Sequence, residues 1–233
     1  MYRGAVTWKP MALAIETDRL TLRIRDESDA EWYRELVGER GEDFPTLEES
    51  RARLARFRDL TIETGIGAFA ICRRAEGDTI GYCALIVGRA SLDEPEVAFE
   101  LLQRFHGHGY ATEAARALVA AAAATGRRRL WSTVGAWNAP SLRVLEKVGF
   151  RRDHSVTDDR GEVVYLVRDL WSDRPPDSTI STSVSDEIGT TSFAAAASRP
   201  AGLPLKSFDD DRPERFHTAP PVNSSEFAHE GLI

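Results

Sequence analysis

The segment EVAFELLQRFHGHGYATEAARALVAAAAAT, residues 96–125, constrains the fold more than any other. An apolar run short enough for a strand ends in two glycines one residue apart. An alanine-rich stretch with the composition of a helix follows at once. The first amides of a helix lack intrahelical acceptors, and the aligned peptide dipoles leave partial positive charge there. Glycines ahead of that turn remove the Cβ atoms that would keep an anion away. The amides of His108, Gly109, Tyr110 and Ala111 are therefore expected to hold a phosphate group, with the Thr112 hydroxyl as a further donor. A tight turn that needs glycine only for its backbone angles is the alternative.

The rest of the pattern is regular between Ile15 and Trp171. Leu20, Leu22 and Ile24 alternate with Thr21, Arg23 and Arg25, the period of a half-buried strand. Ser28 or Asp29 is placed to cap a helix through Val37, and Thr46 with Glu49 forms a capping box before a second helix reaching Leu60. GAFAICRR and TIGYCALIVGR flank the turn AEGD as a hairpin. After the opening strand and helix, which ends at Gly126, come a strand RLWSTVGAW and a short helix from Asn138 to Val148. Two last strands, FRRDHSV and EVVYLVRDL, surround TDDRG. The predicted order βααβββαβαββ gives a mixed α/β domain over residues 15–171, one sheet with helices on both faces. Residues 1–14 are a short extension, within which Met11 is an alternative start.

Beyond Ser172 the composition changes. Residues 172–233 hold seven of the eleven prolines, many Ser and Thr, and apolar residues without period, so they are expected to form a disordered tail. The net charge of −7 is concentrated there: ten acidic against five basic residues, leaving 27 against 25 elsewhere. A nearly neutral domain offers no footprint for nucleic acid. No apolar run approaches the roughly 20 residues that cross a bilayer, and the start has no signal-peptide core, so the cytoplasm is the expected location. Cys72 and Cys83 lie in adjacent predicted strands, where a disulfide is conceivable; small buried thiols are the preferred reading, and neither has a metal-ligand neighbour at the right spacing.

Two phosphate ligands are disfavoured at the glycine junction. A dinucleotide fingerprint wants a third glycine at Thr112 and an acidic residue about 20 positions on. No Asp or Glu lies between Ala114 and Leu145, and the Gly-Lys-Ser/Thr of a P-loop is absent.

Three pieces in order, ETDRLTLR, EVAFELLQRFHGHGYATEA and WNAPSLRVLEKVGFRR, span the ordered region. With them the chain resembles the GNAT superfamily of acyl-CoA N-acyltransferases, and within it the RimJ/RimL-like branch. The pyrophosphate motif Gln/Arg-x-x-Gly-x-Gly/Ala fits as His106-Gly107-His108-Gly109-Tyr110-Ala111, with His departing from the pattern at the first position. The resemblance implies a sheet splayed into a V that receives acetyl-CoA as co-substrate, with no metal. The pantetheine arm would pair with main chain around Phe99 to Leu102, and the amide of Leu101 or Leu102 would polarise the thioester carbonyl. A primary amine, either a protein N-terminus or a small molecule, would attack directly in a ternary complex.

The resemblance also assigns side chains. Asn138 would cap its helix and hydrogen-bond the pantetheine arm. Many relatives carry a tyrosine as general acid where Leu145 stands here; the RimJ/RimL-like branch uses a serine at the place of Ser141, making Ser141 the candidate acid. Glu100, a carboxylate within an apolar strand, is either the general base or the partner of an arginine on a neighbouring strand. Glu96 is read as solvated, and Glu113 as a structural residue of the first helical turn. His106 and His108 are read as supporting contacts of the loop. The helices of residues 29–37 and 47–60 should wall the acceptor site, with Trp32, Tyr33 and Phe57 as lining or core. A non-catalytic acyl-CoA-binding module is the alternative function.

Overall fold

Alternation and cross-strand register build the sheet. The computed structural model describes residues 8–41, 44–158 and 161–170. Residues 1–7 of the segment read as extension and the whole segment read as tail, residues 172–233, lie outside that set, as does Trp171. The strands are β1 (Ala14–Glu16), β2 (Leu20–Ile24), β3 (Ala68–Arg73), β4 (Thr79–Ile86), β5 (Glu96–Leu101), β6 (Arg129–Gly135), β7 (Arg151–Asp158) and β8 (Gly161–Asp169). The helices are α1 (Ala30–Glu39), α2 (Leu47–Thr64), α3 (Tyr110–Ala124) and α4 (Ala139–Lys147). The strands join in one sheet of order β1-β2-β3-β4-β5-β6-β8-β7, antiparallel at every junction except β5–β6.

The expected mixed α/β architecture is the observed one, with an additional short strand, β1, whose three residues are too few to show a period. One face of the sheet packs Leu22, Phe69, Leu85, Val97 and Phe99 against Ala114, Ala115 and Leu118 of α3 and Leu142 of α4. The small side chains of α3 let its backbone approach the sheet closely. On the other face Tyr82, Ala84 and Ala98 meet Leu36 of α1, and α1 closes on α2 through Tyr33, Val37 and Leu54.

Caps explain the helix boundaries. Thr46 and Glu49 form the expected capping box on α2, each side chain accepting from the other's amide (3.1 and 2.7 Å), a device worth about 1 kcal/mol. At α1 the structure corrects the reading. Asp26, not Ser28, caps a 3-10 turn (Glu27–Asp29) that precedes the helix. Asp29 makes no cap bond on α1; its buried carboxylate instead takes a fork from Arg23 (2.6 and 2.8 Å) and the indole N–H of Trp32 (2.7 Å). That pairing pushes the Arg23 guanidinium further up than usual, against the opposing effect of burial. Cys72 and Cys83 are free thiols, and burial pushes Cys83 up to about 12.

Candidate active site

The opening between β5 and β6 follows from ladder geometry. Leu102 donates its amide to the Ile80 carbonyl (3.0 Å), which sets the phase of the β4–β5 ladder. Main-chain groups of Glu96, Ala98 and Glu100 then face β4, and those of Val97, Phe99 and Leu101 face β6. β5 and β6 meet in register only at Glu96 and Trp131. One step on, the Ser132 hydroxyl reaches the Val97 carbonyl (2.9 Å). Past that point the strands part, and the main chain of Phe99 and Leu101 borders the gap. Of the two amides expected to polarise a thioester, Leu101 faces the opening. Leu102 is corrected: its amide is spent on Ile80 and its side chain is buried on the α1 face.

Directly after β5 the chain makes a 3-10 turn (Gln103–Phe105) and enters α3 through Gly107 and Gly109, at φ +79 and +82. These are left-handed angles that favour glycine. A Cβ on Gly107 would meet nothing within 4 Å, and one on Gly109 only Arg19 Nη2 at 3.6 Å. The space in front of this end of α3 is therefore open. The first intrahelical bond runs from the Glu113 amide to the Gly109 carbonyl (3.1 Å), and no side chain caps the end. The amides ahead of the ladder belong to Gly109, Tyr110, Ala111 and Thr112, one residue later than the expected set, so His108 falls outside it.

The two histidines support the loop. His106 donates from Nε2 to the Leu101 carbonyl (2.8 Å), since a carbonyl only accepts. That bond turns the His106 ring back onto the end of β5, a supporting contact of the loop. His108 stacks on Tyr110 (5.8 Å between ring centres). Glu113 is structural, as expected. It accepts from the Thr17 hydroxyl (2.7 Å), the Arg19 amide (2.9 Å) and Arg19 Nε (2.7 Å), while Arg19 Nη1 also reaches the His108 carbonyl (3.1 Å). Burial alone would push the Glu113 carboxyl up; these donors and the guanidinium charge hold it below the usual range. Sequence reading missed the Arg19 clamp, whose only signal was its place in ETDRL.

Asn138 stands at the start of α4, 2% exposed. Its Oδ1 accepts from the Ser141 amide (3.1 Å), the expected cap, while its buried Nδ2 has no hydrogen-bond partner. An amide nitrogen left so carries a desolvation cost unless something else accepts from it. Ser141 is buried in the first turn of α4, and Leu145 belongs to the core beneath.

Both carboxylates of β5 lie on the α1 face. Glu100 is almost wholly buried and takes a two-point ion pair from Arg40 at the end of α1, with Nε at 2.8 Å. Its partner is an arginine, as one of the two readings had it, although a helix rather than a strand supplies it. Glu96 corrects its reading as solvated: it is 5% exposed, with carboxylate oxygens accepting from the Arg89 amide and the Thr133 hydroxyl (2.8 Å). Burial pushes the Glu96 carboxyl above the usual range, against the pull of those two donors and the Arg89 charge. It sits where β5 and β6 are still joined, at the closed end of the gap. Its phase in EVAFEL, four residues from Glu100, was the available signal. Among the described residues, no three His, Cys, Asp or Glu side chains gather as a metal would require.

Comparison with known proteins agrees with this geometry. The family model described as acetyltransferase (GNAT) domain matches residues 19–151, more than half of the chain. The uncharacterized N-acetyltransferase p20 of Bacillus licheniformis is 25% identical over 150 residues, 61% of this chain and 84% of that protein. Among solved structures, a GNAT-family acetyltransferase from Bacillus anthracis superposes with a TM-score of 0.55 at 22% identity, over 67% of this chain and 98% of that one. The ribosomal-protein-S5-alanine acetyltransferase of Vibrio fischeri gives 0.60 at 17%, over 70% and 100%. A RimL ribosomal L7/L12 α-N-protein acetyltransferase, solved with coenzyme A, gives 0.59 at 18%, over 69% and 98%. An opened β5–β6 seam running into an uncapped, glycine-fronted helix is thus set in a matching fold, and the chain belongs to the GNAT acetyltransferases.

Proposed function

We propose that the protein is a cytoplasmic N-acetyltransferase of the RimJ/RimL-like branch that acetylates a primary amine, either a protein N-terminal α-amine or a small molecule. The observation that carries this is the continuous line from the unladdered main chain of Phe99 and Leu101 to the open amides of Gly109, Tyr110, Ala111 and Thr112. These fit the arm and the diphosphate of acetyl-CoA, and the unpartnered Asn138 Nδ2 fits a carbonyl of that arm. When bound, acetyl-CoA supplies an acetyl group on sulfur. The acceptor's uncharged nitrogen forms its bond to the acetyl carbon as the carbon–sulfur bond breaks, the electron pair leaving with sulfur.

The chain's own groups would divide the proton work. The Leu101 amide is placed to donate to the oxygen that gains charge, an interaction worth about 3 kcal/mol where such donors have been removed. Glu96, whose burial favours holding a proton, is a better acceptor of the ammonium proton than Glu100, whose oxygens both face Arg40. Ser141 is the proposed donor to the departing sulfur. A non-catalytic acyl-CoA module stays as a second reading because Leu145 sits in the core and Glu100 is held in its ion pair.

Thiol release from acetyl-CoA over a panel of amines and peptides separates the two. Turnover is expected with at least one primary amine. Glu96→Gln should cut kcat and flatten the acidic limb of its pH profile, and Glu100→Gln should leave that limb in place. Coenzyme A binding without turnover on any amine favours the sensing module; thermal stabilisation by NADH but not by coenzyme A overturns both.

A further inference from the structure

The most exposed large apolar side chain among the described residues stands beside the opened seam. Trp137 directly precedes Asn138 and is 69% exposed. An exposed apolar side chain alone means little; its place carries the argument. The chain turns straight after β6, where the Asn138 amide donates to the Gly135 carbonyl (2.9 Å), and the indole is laid back over Gly135. A Cβ on Gly135 would fall 2.5 Å from Trp137 Nε1 and 3.0 Å from its Cδ1 and Cε2. Glycine is therefore needed at the end of β6 for the close approach of this ring.

Alternation and register show what the ring faces. The Thr133 hydroxyl reaches the Glu96 carboxylate (2.8 Å), so Thr133 lies on the α1 face, and Gly135, two residues on, presents the same face. Glu96 stands level with Trp131 across the parallel pair. Counted forward along both strands, Ala98 comes level with Thr133, Glu100 with Gly135, and Leu101 with Ala136. The indole thus stands across the seam from Glu100, at the level of the Leu101 amide. Side chains of α3 and α4 fill the opposite face of the sheet, so the α1 face is the side from which an acceptor would approach a thioester held there. Glu100 is taken up by Arg40. On β8, Val163 lies opposite Gly135, and Tyr165 follows on the same face; both are half-buried. The surface on offer beside the thioester is accordingly apolar and aromatic.

We infer that Trp137 selects the acceptor, its indole receiving a flat apolar side chain carried next to the reacting amine. This rests on the acetyl transfer proposed above and narrows its acceptor class. The span from the Leu101 level across the opened seam to the ring is about 10 Å, two strand spacings. An aromatic ring two carbons from the nitrogen, packed on the indole at about 5 Å between centres, covers such a span. Its binding would shield an indole that the unliganded protein leaves in water, a gain that a small polar amine cannot supply.

The test uses matched acceptors of similar basicity on the full chain: phenethylamine against 2-methoxyethylamine, and the peptides Phe-Ala-Ala-amide against Ser-Ala-Ala-amide. Acetylation is followed by thiol release. Binding is followed, with coenzyme A present, by the indole 15N–1H resonance of Trp137, identified by its loss in Trp137→Phe. The aromatic member should move that resonance and react with kcat/KM about 30-fold higher, through a lower KM for the amine. Which pair shows the preference separates a small arylalkylamine from a protein N-terminus. Trp137→Ala should keep the melting midpoint, since the side chain is exposed, and bring both members of each pair to within about twofold. Gly135→Ala retains the indole but pushes it from its seat, and should lose most of the preference too. Equal behaviour of both members, an unmoved Trp137 resonance, or a preference that survives in Trp137→Ala overturns the assignment. So does a rise in KM for acetyl-CoA, rather than for the amine, in Trp137→Ala, which would place the ring against the cofactor. The binding readout needs no turnover. Absence of thiol release with every amine would count against acetyl transfer itself, and transfer without preference would count against Trp137 alone.

Discussion

Asn138 divides one amide between two tasks, and the division can be tested. The oxygen caps α4 at Ser141, and the nitrogen is buried without a partner. Ser caps a helix as well as Asn does and brings no charge into this buried place, so Asn138→Ser should change the melting midpoint little while raising KM for acetyl-CoA about tenfold, the loss of one good hydrogen bond. Glu96 makes a prediction of the opposite kind. Its folded carboxyl binds a proton more tightly than the ordinary value of 4.5. Between that value and the raised one the native state therefore holds more protons than the unfolded chain, and stability falls as pH rises. Glu96→Gln keeps the shape without the titration, so chemical denaturation across the acid range should lose this downward slope. Asn138 was legible in the sequence as a cap, whereas Glu96 was read as solvated and proves to be buried. What the sequence withheld was the partner: Thr133 and Arg89 arrive from other elements, and only the fold brings them to Glu96.

Among the elements, β5 and α3 carry the function, and their order could be read directly because each has a strong period and glycines mark the change. The fine phase was harder. The choice between Leu101 and Leu102 depends on which amide β4 consumes, a fact about the neighbouring strand rather than about β5. The α1 boundary shows the same limit. Ser28 and Asp29 both look like caps, but the Asp29 carboxylate is drawn away by Arg23. The seam between β5 and β6 rests on few bonds, one of them from the Ser132 hydroxyl to Val97. Ser132→Ala leaves a buried carbonyl without that donor and should cost about 1–3 kcal/mol in urea denaturation, with the order of strands unchanged.

At the scale of the molecule, the sheet is two antiparallel blocks, β1 to β5 and β6 to β8, meeting at one parallel register pair. The acidic segment from Ser172 onward is set apart from them by composition alone. We propose that it contributes neither to the fold nor to the grip on coenzyme A. A chain ending at Trp171 should therefore keep its melting midpoint and its coenzyme A affinity, as measured by calorimetry. The two blocks have a consequence for solvent access to the backbone. Away from the edge strands β1 and β7, amides within each block are closed by neighbours, while those of Phe99 and Leu101 look across the opened seam. Deuterium labelling should accordingly trace two slow territories divided by a quick line, and whatever molecule the seam is made for should slow that line before any other part of the protein.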